Sequence, residues 1–115
     1  MIQINVENKR TLQGEEIIQV TAKDSNGQTL GHIVGGIQKP AAFIDNIQVS
    51  PIIRSQGLGS RLVGTFALQA TSLGCSHIVV DSFRPEAPTQ IARLQQFYSN
   101  NNFDRFGEVL VRFLK

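Results

Sequence analysis

Residues 49–62 read VSPIIRSQGLGSRL, and they mark the point where the chain changes from one kind of structure to another. Before this stretch, apolar and polar residues alternate as they do in β-strands, and after it apolar residues recur at helical spacing. Gly57 and Gly59 stand at the change. Glycines at a strand-to-helix turn allow a phosphate to approach the backbone, so the stretch predicts an anion site at a helix N-terminus.

The residues before this stretch predict four strands. Alternation of apolar and polar side chains places them at 2–6, 18–22, 30–37 and 43–49. Residues 24–27 (Asp-Ser-Asn-Gly) predict a tight turn, because Asn-Gly readily adopts the positive φ that a hairpin needs. We therefore expect an antiparallel meander in the first half of the chain.

The residues after this stretch predict helices and strands in alternation. Apolar residues recur at helical spacing over 59–73, and Gly74 stands where a helix C-cap falls. The apolar run at 78–80 predicts a strand buried on both faces. A second helix is predicted over 89–100. Because a strand, a helix and a strand follow one another, two of the strands are expected to be parallel.

Two short strands around Gly107 are expected to close the chain, and residues 1–115 are predicted to be a single α+β domain. The net charge of +2 is spread without a basic run, which argues against a nucleic-acid partner. No apolar segment approaches the roughly 20 residues that span a bilayer. The N-terminus lacks the apolar block of a signal peptide, and a single cysteine allows no internal disulfide, so we expect a cytoplasmic protein.

Three kinds of phosphate-binding loop compete for the glycine pair. A nucleoside triphosphate loop needs a Gly-Lys pair, which the sequence lacks. A dinucleotide fingerprint needs a small residue where Leu62 stands. The third pattern is [RQ]-x-x-G-x-G after a strand that ends in V-x-P. It is matched in register by Val49, Pro51, Arg54, Gly57 and Gly59.

With these residues the chain resembles the GNAT superfamily of N-acetyltransferases, whose most diagnostic segment is a strand, this loop and a helix. The later family segment Tyr-x-x-x-Gly-Phe is matched by Tyr98 and Phe103, with Asn102 in place of the glycine. Asparagine also tolerates a positive φ. The resemblance implies a mixed, mostly antiparallel sheet with helices packed on it. Its central parallel strands, 43–49 and 77–83 here, would be splayed at the cofactor site.

The resemblance also implies direct transfer of an acetyl group from acetyl-CoA to a primary amine of a small molecule or peptide, without a metal. The amide of Val49 would face the oxyanion. The implied coenzyme A site takes residues from the strand, the loop, the start of the helix and the later tyrosine: Ile47, Gln48, Val49, Arg54, Ser55, Gln56, Gly57, Leu58, Gly59, Ser60 and Tyr98.

Two residues are predicted to be catalytic. Tyr98 is the only tyrosine and takes the family's proton-donor position, where it would protonate the coenzyme A sulfur; aromatic packing is the alternative. Asp45 has the same strand parity as Ile47 and Val49. The resemblance implies a carboxylate near this position that acts, directly or through water, as the general base, and a solvated or capping carboxylate is the alternative. Asp81 is a reserve candidate for acceptor binding.

The remaining chemistry-bearing residues are expected to be structural. His32 and His77 lie in predicted strands, and Cys75 is expected to be buried; their spacing is not that of metal ligands.

GNAT proteins normally have one or two helices after the first strand, and residues 8–16 are too short for both. A non-catalytic acyl-CoA-binding or regulatory module is therefore the alternative function. A homodimer through the strands around Gly107 would cover the surface that the missing helices leave.

Overall fold

The computed structural model describes residues 2–50, 57–80, 88–107 and 109–114, and for 88–93 the backbone alone. The described residues form seven strands and two helices. In chain order these are β1 (Gln3–Arg10), β2 (Glu16–Lys23), β3 (Thr29–Gln38), β4 (Ala41–Val49), α1 (Leu58–Ser72), β5 (His77–Val80), α2 (Pro88–Asn100), β6 (Asp104–Phe106) and β7 (Val109–Phe113).

The strands form one sheet in the order β1-β2-β3-β4-β5-β7-β6. Over the described residues every neighbouring pair is antiparallel except β4 and β5, which are parallel. This confirms the predicted α+β fold, with its antiparallel meander, its parallel pair and its short C-terminal hairpin at Gly107. No helix in the described part of the chain is long and apolar enough to cross a membrane.

The first strand is longer than predicted. β1 continues to Arg10 and pairs with β2 along its whole length. Its polar residues 7–10 do not alternate with apolar ones, because nearly all of this edge strand is exposed and needs no buried face. The chain turns back through residues 11–15, where Gly14 adopts a φ of 85° and its amide donates to the carbonyl of Thr11. No helix lies between β1 and β2.

One face of the sheet carries the core. The buried side of α1 packs against β2, β3 and β4, and the largest fully buried side chains include Phe66, Leu62, Ile18 and Ile33. Gly35 lets Phe66 lie directly on the sheet: a Cβ at this position would meet the Phe43 carbonyl oxygen and come within 2.7 Å of the Phe66 ring. The glycine is therefore needed for close packing of the helix on the sheet.

No described helix covers the opposite face of the sheet. His32, Val34, Phe43 and Val79 lie on it and are half-buried. The prediction that β5 is buried on both faces is therefore wrong for Val79, because this side lacks a covering layer among the described residues. From β2 to β5, no described helix or strand packs over this face.

Two left-handed residues end the helices as the sequence predicts. Gly74 has a φ of 92°, and the amide of Cys75 donates to the carbonyl of Ala70 at 3.0 Å, which closes α1. Asn102 has a φ of 70°, and the amide of Phe103 donates to the carbonyl of Tyr98 at 3.0 Å after the end of α2. Asn102 thus adopts the conformation for which the family uses glycine.

Candidate functional site

In the described part of the chain, the two parallel strands are paired over a short segment. β4 and β5 pair only over Ala41–Phe43 and His77–Val79 in the described residues, whereas β4 continues to Val49. A cleft of about 740 Å³ opens beside the far end of β4. The described residues that line it come from β3, β4, the start of α1 and one side of α2: Thr29, Leu30, Gly31, His32, Ile47, Gln48, Val49, Ser50, Gly57, Gly59, Ser60, Leu94 and Phe97.

The cleft brings together part of the predicted coenzyme A site, namely Ile47, Gln48, Val49, Gly57, Gly59 and Ser60. Leu58 is only 1% exposed, so its side chain belongs to the core and only its backbone is available to a ligand. Arg54, Ser55 and Gln56 lie outside the described residues, as do Pro51 and Asp81.

The N-terminus of α1 is built to face an anion. Gly57 is the N-cap, with a φ of 77°, and a Cβ at this position would meet no atom within 4 Å. The amides of Leu58, Gly59 and Ser60 lie in the first turn, where helix geometry supplies no acceptor. The helix dipole adds a partial positive charge, and the first turn contains no acidic residue that would oppose a ligand's negative charge.

Gly59 has a different role from Gly57. A Cβ on Gly59 would lie 2.9 Å from Cε1 of Phe97 and 3.7 Å from Cγ2 of Val49. Glycine here lets the Phe97 ring of α2 pack against the start of α1. The motif predicts that both glycines allow a phosphate to approach the backbone. Of the two, only Gly57 has open space at its Cβ position.

Asn101 holds α2 against α1. Its side-chain amide donates to Oγ of Ser60 at 3.2 Å and to the carbonyl of Phe97 at 2.9 Å, and the residue is only 9% exposed. Two cleft-lining residues are therefore fixed by a buried side chain that follows α2. The sequence analysis did not single out Asn101 or Phe97, because their role arises from the contact between the two helices.

The register of β3 and β4 sets the direction of the Val49 backbone. Gly31 and Val49 are opposite each other, and the amide of Ser50 donates to the carbonyl of Leu30 at 2.8 Å. In an antiparallel pair this arrangement makes Gly31 and Val49 a non-hydrogen-bonded pair. The amide of Val49 therefore points away from β3, toward the side on which β5 lies.

Tyr98 lies in the core behind the cleft wall. It is 4% exposed, and its ring makes edge-to-face contacts with Phe97 and Phe103, both at 5.2 Å between ring centroids. It is not among the described residues that line the cleft, whereas the adjacent Phe97 is. Burial raises the pKa of Tyr98 to about 12, so the phenol keeps its proton throughout the neutral range.

Asp45 lies away from the cleft. The register of β3 and β4 shifts between Val34 and Gly35, so that Ile44 and Ile47 both point toward the helices, with exposed Asp45 and Asn46 between them. The expected parity of Asp45 with Ile47 is therefore wrong. Asp45 lines a second cavity, of about 260 Å³, that shares no described lining residue with the cleft. Partial burial, and next the charge of Glu15, raise the pKa of Asp45.

The two histidines have different surroundings. His77 has its Nδ1 2.8 Å from Oγ of Ser76 and its ring 6.2 Å from that of Phe113, in agreement with a structural role. His32 lines the cleft opposite Gln48 on β4. The sequence analysis gave His32 a structural role only; the register of the β3–β4 pair is the signal that places it beside the predicted site.

Cys75 is buried as predicted, and burial is the main cause that raises its pKa. In the part of the chain that the structure describes, no group of three or more His, Cys, Asp or Glu side chains is arranged to hold a metal ion.

Solved structures share this fold. An acetyltransferase from Bacillus cereus is 23% identical, with a TM-score of 0.73 over 87% of this chain and 74% of that one. The ribosomal-protein-S18-alanine N-acetyltransferase from Escherichia coli is 15% identical, with a TM-score of 0.76 over 100% of this chain and 95% of that one. A GNAT family N-acetyltransferase from Escherichia coli, crystallised in complex with CoA, is 18% identical, with a TM-score of 0.65 over 85% of this chain and 59% of that one.

Sequence comparison gives the family. A search of curated proteins finds no match. The sequence profile of the acetyltransferase (GNAT) family matches residues 5–99, which is most of the chain and includes both parallel strands and the glycine turn. Together with the predicted loop motif and the observed fold, this match leads to one conclusion: the chain belongs to the GNAT acetyltransferase family.

Proposed function

We propose that this protein is an N-acetyltransferase that transfers the acetyl group of acetyl-CoA to a primary amine of a small molecule or peptide. The observation that carries the proposal is the cleft at the open end of β4, which the N-terminus of α1 flanks at Gly57. Amides at a helix N-terminus suit a pyrophosphate, and an extended strand edge suits the amide groups of a pantetheine arm.

The chemistry divides among the residues around this cleft. The first-turn amides of α1 hold the pyrophosphate, and Arg54 and Arg61 are candidates for charge-assisted contacts with it. Tyr98, which packs behind Phe97 of the cleft wall, is the proposed proton donor to the departing thiolate, a role that the family resemblance implies.

A thiol-release assay tests the proposal. Acetyl-CoA is incubated with the protein and a panel of alkylamines, amino acids, polyamines, aminoglycosides and short peptides, and free coenzyme A thiol is measured with a chromogenic disulfide. We expect thiol release that depends on both protein and amine, with the acetylated amine identified by mass spectrometry. Binding of acetyl-CoA without release for any amine would contradict an enzymatic function.

A non-catalytic acyl-CoA-binding module is the second candidate. It is favoured by the short turn at residues 11–15, which leaves one face of the sheet without a described helix and so provides less material for an acceptor pocket. The same assay separates the two functions, because a binding module shows a thermal shift with acetyl-CoA but no thiol release.

We also propose a homodimer through the C-terminal strands. Phe113 is 66% exposed and Phe106 is 51% exposed, and their rings meet edge-to-face at 6.1 Å on the open side of β6 and β7. A second subunit would cover these rings. Light scattering after size-exclusion chromatography should give twice the mass of the chain, and Phe113→Ser should shift it toward the monomer. A monomeric wild type at high protein concentration would contradict the dimer.

A further inference from the structure

The cleft reaches both faces of the sheet. Gly31 and Val49 point toward the helices, since a Cβ on Gly31 would lie 3.3 Å from Cδ1 of Leu62 in α1. His32 and Gln48 are the next residues along these strands and therefore point to the opposite face. That face has no described helix over it. In the described residues, the cleft therefore borders both this face and the face on which the N-terminus of α1 lies.

His32 is the one histidine among the described residues that line the cleft. Histidine is the side chain that most often acts as a general base in enzymes, and no carboxylate is present among the described lining residues. Its ring is half-buried, and its cross-strand neighbours Thr21 and Gln48 are uncharged. α1 and α2 add only uncharged side chains to the described lining. Among the described residues of β1 and β2, the charged side chains on this face are Lys23, Glu7 and Lys9.

We infer that His32 is the general base of the reaction and that Gln48 beside it helps to place the acceptor amine. This inference rests on the proposed function and replaces Asp45, which lines a different cavity, in that role. The imidazole of His32 takes one proton from the acceptor ammonium and passes it to solvent. The amine nitrogen then bonds to the thioester carbonyl carbon, and the carbon–sulfur bond breaks with its electrons on sulfur. The nitrogen's second proton balances the proton that the thiolate gains.

Substitution of His32 with a matched control tests the inference. The acceptor is the panel amine that gives the fastest thiol release with the wild-type protein. We expect His32→Gln to lower kcat by roughly 10²- to 10³-fold, which is the usual contribution of a general base. The affinity for coenzyme A, measured by calorimetry, should stay unchanged because the helix N-terminus is intact. His77→Gln is the control, since His77 lies outside the cleft, and it should leave both values unchanged.

Two further measurements distinguish a catalytic role of His32 from a structural one. The wild-type kcat should fall as the pH is lowered, because an imidazolium cannot accept a proton, and His32→Gln should lose this dependence. Added imidazole should restore part of the kcat of His32→Ala. If the wild type is active and His32→Gln is equally active, His32 is not the general base. The same conclusion follows if His32→Ala is not rescued by imidazole and keeps the wild-type pH profile. Either result overturns the role of His32 but leaves the proposed function standing. A wild type that releases no thiol with any amine would overturn the proposed function together with it.

Discussion

The two halves of β4 differ in what lies beside them. The first half, around Ala41–Phe43, pairs with β3 on one side and β5 on the other, and it contacts Gly35 so closely that no side chain fits there. The second half, from Ile47 to Val49, pairs with β3 and borders the cleft. The same strand is therefore paired on both sides at one end and borders a ligand-sized cleft at the other.

We call Ala41–Phe43 the closed half of β4 and Ile47–Val49 the open half. Gly35→Ala should have the largest effect, because it disturbs the packing of the closed half. The new Cβ would meet the backbone carbonyl of Phe43 and the ring of Phe66, and neither has room to move. We expect a loss of about 3 kcal/mol or more in the free energy of unfolding, measured by urea denaturation.

Gly36→Ala is the matched control for Gly35→Ala. A Cβ on Gly36 would lie 3.8 Å from the carbonyl oxygen of Glu16, which is an ordinary contact. Its stability should change little. Equal losses in the two variants would show that the closed half of β4 is not the tightly packed region described above.

Tyr98→Phe tests the proposed proton donor behind the cleft wall. Without the phenol proton, kcat should fall by about 10²-fold while the packing against Phe97 and Phe103 is retained. An unchanged kcat across the pH range would leave Tyr98 as a packing residue only.

The raised pKa of Tyr98 also predicts how stability depends on pH. The folded protein holds this proton more firmly than the unfolded chain, with a pKa of about 12 against the ordinary value of 10.0. The resulting stabilisation is complete below about pH 10 and is lost as the pH rises toward 12. Thermal unfolding should show a steeper alkaline loss of stability for the wild type than for Tyr98→Phe. Identical pH dependence would contradict the buried, protonated phenol.

Gly57→Ala tests the proposed coenzyme A site beside the open end of β4. The new methyl group would occupy open space at the N-terminus of α1, where the pyrophosphate is proposed to lie. We expect coenzyme A to bind about tenfold more weakly in calorimetry, in addition to a stability loss of roughly 1 kcal/mol from the left-handed backbone.

Gly14→Ala is the control for Gly57→Ala. Gly14 has a similar φ of 85° and equally open surroundings, but it lies in the β1–β2 turn. It should show the same stability loss with unchanged coenzyme A affinity. If both substitutions weaken coenzyme A binding equally, the effect of Gly57 is not local.

Asn102→Ala should have the smallest effect. Alanine at a φ of 70° costs roughly 1 kcal/mol more than asparagine, and the strain falls just beyond the helix that forms one wall of the cleft. A small decrease in Tm is expected, and Asn102→Gly should reverse it. A stabilised Asn102→Ala would contradict the left-handed conformation.

The sequence was sufficient for most of the framework. Periodicity located both helices and the hairpins. Asn102 was expected to be left-handed because it stands where the family segment has glycine and asparagine tolerates a positive φ. The bulge in β4 was missed because residues 43–49 (FIDNIQV) fit two arrangements. In a regular strand, Phe43, Asp45, Ile47 and Val49 share one face. With one extra residue in a bulge, Ala42 and Ile44 share a face with Ile47 instead. Burial under α1 selects the second arrangement, and no local pattern reveals it.

The candidate site was predicted only in part, because some of its residues are brought there by long-range contacts. Gly57 and Gly59 were found from their motif, since a helix N-terminus is a local structure. His32 and Phe97 reach the cleft only through the pairing of β3 with β4 and the packing of α2 on α1. Such long-range contacts are not encoded in the spacing of nearby residues.

A titration with coenzyme A, followed by amide NMR, tests the central claim most directly. The account predicts that the amide signals of Val49, Gly57, Gly59 and Ser60 shift in a saturable way, whereas those of Ala41–Phe43 in the closed half of β4 do not. Saturable shifts confined to the closed half, or no shifts at all, would contradict a coenzyme A site at the open end of β4.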